Sequence, residues 1–190
     1  MRIVELLFVR ELPVSPEVLW PWVSEAARIS AWAEVEIAPL SPGPGGGAVE
    51  AGATRTVRVT GVPGRMEERL VEVVDGERLV YSVYKGGGIR WHEGRVELEA
   101  IPEGCRLTWS VAMEPAVPGV GWVMRRMLSR QFERGLDVLA GLVEPLGAAS
   151  QDLPAPQHAP QPRNPAAPQN RDKLHPPPEP PHALPPLHLR

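Results

Sequence analysis

The chain has 190 residues, a formal net charge of -3 and 24 prolines, most of them crowded toward the carboxy-terminal end. A nearly balanced, slightly acidic composition has the wrong sign for a nucleic-acid footprint, so no nucleic-acid partner is expected. A single cysteine, Cys105, excludes a disulfide framework and a thiolate metal cluster. No apolar run approaches the ~20 residues of a membrane span.

Composition also divides the chain. Residues 1–149 are long enough for one domain with a true core. Residues 150–190, dominated by proline and free of aromatics, bury too little to offset the entropy of ordering and read as a disordered polyproline-type tail. Its PxxP-like runs, such as HPPPEPPHALPP, offer at most a weak protein contact. At the other end, Glu5, Arg10 and Glu11 interrupt any signal-peptide apolar region, which sets a cytoplasmic location as the expectation.

Arg2–Arg10 is rich in Ile, Val, Leu and Phe and reads as a strand. Ser15-Pro16-Glu17 then supplies an N-cap, a proline at the first helical position and an acidic first turn. Pro21 shortens or distorts that helix, and a second short helix follows over Glu25–Ala31. Predicted strands come next at Glu34–Ala38, Thr54–Thr60, Met66–Val74, Arg78–Tyr84, Ile89–Ile101 and Cys105–Met113. Glycine- and proline-bearing turns separate them about every 8 to 12 residues, the mark of an antiparallel meander. Pro115 and Pro118 end the sheet, and Gly121–Leu146 is a long amphipathic helix that can cover the apolar face of a curled sheet.

Phase assigns the faces. Leu107, Trp109, Val111 and Met113 point one way, as do Val96, Leu98 and Ala100, and the register carries Gly94 and His92 to the same inner side. Leu79, Tyr81 and Val83 share a face. In Met66–Val74 the phases conflict, leaving open whether Glu67 or Glu68 points inward.

The segments ELPVSPEVLWPWVSE, GERLVYSV, RVELEAIPEGCRLTWSVAMEP and LDVLAGLVE, with Trp32 between the first two, resemble the SRPBCC or START-like superfamily. Within it the chain is most similar to the polyketide cyclase/dehydrase and lipid transport group, over about Ile3 to Glu144. The resemblance implies an α+β helix-grip fold: a curved antiparallel sheet wrapped around a long carboxy-terminal helix, with two short helices after the first strand and an elongated, largely apolar cavity inside. It is carried by fold-level wording, so no catalytic motif transfers with it.

The candidate site therefore rests on the residues themselves. His92 is the one histidine outside the tail, able to act as acid, base or hydrogen-bond donor. Tyr81 is able to orient a ligand through its hydroxyl. Tyr84 offers the same, and either tyrosine is otherwise a strand packing residue with its hydroxyl at the rim. Arg55, in phase with Val57 and Val59, reaches an anionic ligand group or else lies solvated at a strand end. Trp32 and Trp109 are the indoles placed nearest a ligand; Trp20, Trp22 and Trp122 join them as core or cavity wall. On the long helix Met124, Met127, Leu128, Gln131, Phe132, Gly135, Leu136 and Leu139 form the inward stripe, with Gln131 its polar member. Arg125, Arg126, Arg130 and Arg134 make a basic face read as solvated, with anionic-lipid contact as the alternative.

The ligand-binding set is thus Trp32, Arg55, Val57, Val59, Tyr81, His92, Trp109, Val111, Met124, Met127, Leu128 and Gln131, with His92 and Tyr81 as catalytic candidates. Gly45–Gly47 and Gly86–Gly88 lack the context of phosphate cradles, and neither a metal nor a cofactor is expected. The expected function is binding or carriage of an apolar small molecule, lipid-like or polyketide-like. One alternative is a cyclase or dehydratase in which His92 moves a proton while Tyr81 polarises a carbonyl. Another is a protein-interaction module.

Overall fold

A computed structural model describes residues 3–151; the proline-rich tail expected from residue 150 onward lies, from residue 152, outside the described residues. The elements in chain order are β1 (Val4–Leu12), α1 (Pro16–Ser24), α2 (Ala26–Ser30), β2 (Val35–Ser41), β3 (Thr54–Val59), β4 (Met66–Val74), β5 (Arg78–Gly86), β6 (Ile89–Ile101), β7 (Gly104–Pro115) and α3 (Gly121–Gln151). They agree with the sequence reading in type and order.

The strands form one seven-stranded antiparallel sheet in the order β1-β7-β6-β5-β4-β3-β2. Strands β2 to β7 follow one another as a meander, and β1 closes the row beside β7. With α3 and the two short helices on its inner face, this is the helix-grip architecture that the resemblance implied.

Local chemistry explains the element ends. Ser15 takes the N-cap backbone conformation and its carbonyl accepts from Leu19 N–H at 3.0 Å, but its hydroxyl makes no capping bond. Pro21 lies inside α1, and the chain turns extended at Glu25 before α2 begins. Helix α3 continues past the expected Leu146 to Gln151, with Pro145 inside it. At that end Gly147 permits a close approach, since a Cβ there would fall 1.8 Å from the Pro13 carbonyl oxygen.

Burial along α3 is uneven. Leu136, Leu139 and Val143 are fully buried and belong to one hydrophobic core with Leu19 and Val23 of α1, Ile29 of α2 and the sheet residues Leu79, Val96 and Leu107. Toward its amino-terminal end Met124 and Leu128 are only half-buried, and Met127 is exposed. The close-packed core thus sits under the carboxy-terminal half of the helix. Under the other half the packing loosens. One expectation is corrected here: Trp122 is 73% exposed rather than part of the core; Ala100, in phase with Val96 and Leu98, is exposed as well.

Candidate functional site

The space under the first turns of α3 is a cavity of about 140 Å³. Its walls come from α2 and the following turn (Ile29, Trp32, Ala33), from β2 and β3 (Val35, Ile37, Val57), from the centre of the sheet (Tyr81, His92, Trp109, Val111) and from α3 (Met124, Met127, Leu128, Gln131). All twelve residues singled out in the sequence line this one cavity, including Arg55 and Val59. Strand alternation brings Trp109, Val111 and His92 to the inner face, and helical spacing does the same for Met124, Leu128 and Gln131.

One wall is an aromatic run. Trp109 meets Trp32 edge-on, with ring centroids 5.6 Å apart, and meets Phe132 in the same manner at 5.5 Å. It donates its indole N–H to the Tyr81 hydroxyl oxygen at 3.0 Å. Trp32 spends its own N–H on the Trp22 carbonyl at 2.9 Å, so both indoles present apolar faces inward. The Tyr81 and His92 rings follow, with centroids 5.5 Å apart and tilted by 43°.

Behind this run lies a polar pair that the sequence left unresolved. Arg55 and Glu68 are 7% and 6% exposed, and Arg55 Nε donates to Glu68 Oε2 at 3.0 Å. The Arg55 guanidinium also lies 5.4 Å from the centre of the Tyr81 ring, within cation–π range. The solvated alternative for Arg55 is thereby overturned: a charge this deep requires a partner, and Glu68 on the adjacent strand supplies it. Glu67 instead faces outward to Tyr84 and Lys85. The conflict of phases in β4 has a cause, because its pairing with β5 shifts register between Glu67 and Glu68 and again between Leu70 and Glu72. Each irregularity breaks the period of two.

Electrostatics sets the proton states. Burial lowers the His92 pKa to about 4, so the ring is neutral at pH 7. Its Nδ1 accepts a long hydrogen bond from Val83 N–H, 3.4 Å away, which leaves the proton on Nε2. Burial, and then the Glu68 charge, hold the Tyr81 phenol well above its ordinary range, against the opposing effects of the Trp109 N–H and Arg55. Tyr81 therefore keeps its proton. His92 and Tyr81 are ring neighbours, but each directs its hydrogen bond elsewhere.

Gln131 is buried and donates to the Glu34 carbonyl at 3.1 Å, so it acts as a structural tie as well as a wall residue. Met127, expected in the buried stripe, lines the cavity but is 39% exposed. Sequence reasoning missed Val62, Met66, Gly87 and Ile89 at the wall, because they sit in or beside turns where periodicity gives no signal. Among the described residues no group of His, Cys, Asp or Glu is arranged to hold a metal ion, and no helix is long and apolar enough to cross a membrane.

A fold of this kind around an apolar hollow invites comparison with known proteins. The chain belongs to the polyketide cyclase / dehydrase and lipid transport family, whose model matches residues 7–144. Among solved structures it is similar to a START superfamily protein from Mycobacterium smegmatis, with a TM-score of 0.62 and 18% identity over 75% of this chain and 98% of that one. A Thermobifida fusca protein gives a TM-score of 0.58 and 22% identity over 72% of this chain and 91% of the other. The di-domain ARO/CYC StfQ of the steffimycin biosynthetic pathway aligns at a TM-score of 0.61 and 15% identity, over 77% of this chain and 52% of StfQ. At these identities the likeness is one of fold. No curated protein matches the chain.

Proposed function

We propose that the domain binds and carries an apolar small molecule, lipid-like or polyketide-like, in the cavity between the sheet and α3. The observation that carries this reading is the composition of the wall: aromatic and aliphatic on nearly every side, with one polar corner formed by Arg55, Glu68, Tyr81 and His92. Such a site suits a ligand with an apolar body and an oxygen placed to accept from the Tyr81 hydroxyl or His92 Nε2–H. An engineered apolar cavity of about 150 Å³ accepts benzene, so the resting volume fits one ring; a longer ligand requires the flexible side chains of Met124 and Met127 to move. A cytoplasmic setting accords with a lone cysteine that is buried and unpaired.

The second reading is a cyclase or dehydratase, favoured by the side-by-side arrangement of Tyr81, His92 and the Arg55–Glu68 pair. Carriage is preferred for two reasons. No hydrogen bond links His92 to Tyr81, and a base with a pKa of about 4 is poorly matched to proton transfer near neutral pH.

Native mass spectrometry of freshly purified protein, followed by titration with a fluorescent apolar probe, tests the proposal. A co-purified small molecule, or saturable probe binding that such a molecule displaces, is expected. Absence of both overturns it. Turnover of a bound substrate by the wild type that vanishes in His92→Phe, with binding retained, would replace carriage by catalysis.

A further inference from the structure

The outer face of α3 at its amino-terminal end has no role in the cavity and is unusual in two ways. Trp122 is 73% exposed, and Val117 and Val123 beside it are 59% and 56% exposed. A tryptophan left this open on a domain that buries Trp20, Trp32 and Trp109 is an unpaid hydrophobic area. The same stretch carries a concentration of one charge. Residues 121–134 hold four arginines and one glutamate in a chain of net charge -3. Arg134 is paired with Glu34, and Glu133 pairs with Arg10. Arg125, Arg126 and Arg130 have no acidic partner within 4.0 Å among the described residues.

Helical spacing interleaves the two features. Trp122 neighbours Arg126 at i, i+4, as Val123 neighbours Met127, while Arg126 and Arg130 continue the same outer strip. The result is a protruding indole and valines among unneutralised guanidinium groups.

We infer that this face docks on an anionic lipid surface. Trp122, Val117 and Val123 enter the headgroup boundary, and Arg125, Arg126 and Arg130 pair with lipid phosphate and carboxylate groups. Tryptophan partitions to that boundary because one ring is both apolar and a hydrogen-bond donor, and a helix that lies in the interface is rich in basic residues beside its apolar ones. Charge complementarity favours lipid: an anionic leaflet supplies a partner for each of the three unneutralised arginines, at about 1 kcal/mol per basic residue, without requiring a matching shape. Met127, at once exposed and part of the cavity wall, places the loosely packed side of the domain next to the membrane.

Co-sedimentation of the full chain with phosphatidylcholine vesicles, with and without phosphatidylserine, tests the inference. Binding to the anionic vesicles only, weakening as salt rises, is expected. Trp122→Ala should lower the partition coefficient by at least about tenfold. Arg126→Glu with Arg130→Glu should lower it by about 25-fold or more, at about fivefold for each arginine lost. All three positions lie on the surface, and circular dichroism checks that each variant is folded. Three results would overturn the inference: no binding by the wild type, equal binding to neutral vesicles, or full binding by either variant. A self-associating wild type that Trp122→Ala renders monomeric, without vesicle binding, would instead assign the face to protein contact and overturn it as well.

Discussion

Tyr81 lies over Gly94, its register partner on the neighbouring strand: a Cβ at position 94 would fall 2.1 Å from Tyr81 Cζ. The glycine is required by the space the phenol occupies, since the ring folds flat across the inner face of β6. That placement aims the Tyr81 hydroxyl at Trp109 and exposes the ring edge to the cavity.

Gly94→Ala must therefore displace a buried aromatic ring. The expected cost is about 1–3 kcal/mol in urea unfolding, as for other overpacked cores. Because the ring lines the cavity, its displacement should also weaken saturable binding of an apolar probe in the same variant. Unchanged stability and unchanged binding together would show that Tyr81 has another rotamer available.

The Arg55–Glu68 pair gives a second test. Glu68→Ala leaves a guanidinium buried without its partner and should cost about 3–5 kcal/mol. The double change Arg55→Met with Glu68→Leu removes both charges and keeps the volume, so it should recover most of that loss. Denaturant melts of Arg55→Met, Glu68→Leu and the double variant close the cycle, with Glu68→Ala measured beside them. A double variant as unstable as Glu68→Ala would mean that packing, not charge, dominates the site.

His92 predicts a pH dependence. Its folded pKa of about 4 lies below the ordinary histidine value of 6.5. The unfolded chain therefore binds the proton first as pH falls. Stability is full above pH 6.5, declines as pH drops, and levels off below the folded pKa. Between pH 7 and pH 5 this amounts to about 2 kcal/mol. Urea unfolding of wild type and His92→Phe at both pH values should show that difference in the wild type alone; a parallel decline in both would exclude His92 as its source.

Trp109→Ala should destabilise the fold by about 3–5 kcal/mol. The indole touches Trp32, Tyr81 and Phe132 and satisfies the Tyr81 hydroxyl. A loss below about 1 kcal/mol in urea unfolding would be incompatible with its place in the inner wall.

The architecture was legible because periodicity survives in β6, β7 and α3, where one face is buried and the other wet. Trp109, Val111, His92 and Leu128 followed from counting by two or by four. The polar corner was not legible in the same way. Glu68 reaches the interior across two register shifts in β4, and its pairing with Arg55 depends on the alignment of two strands that no local pattern encodes. Trp122 misled for a different reason: composition marks an indole as core, whereas its outward position on α3 is set by where the helix begins. The wall residues in turns, such as Val62 and Gly87, came from tertiary closure alone.

Glu34 has φ of 53°, a left-handed conformation unusual for a residue with a side chain. Its carbonyl accepts from Gln131, and its carboxylate takes two hydrogen bonds from Arg134, each 3.0 Å. One turn further along, Gly135 packs so closely that a Cβ there would lie 3.1 Å from the Trp32 carbonyl oxygen. The middle of α3 is thus riveted to the connector between α2 and β2, and Gly147 fixes its far end against Pro13. Any side chain larger than hydrogen at position 135 would therefore push α3 off that connector and shift Leu128 and Gln131, which roof the cavity from the neighbouring turns.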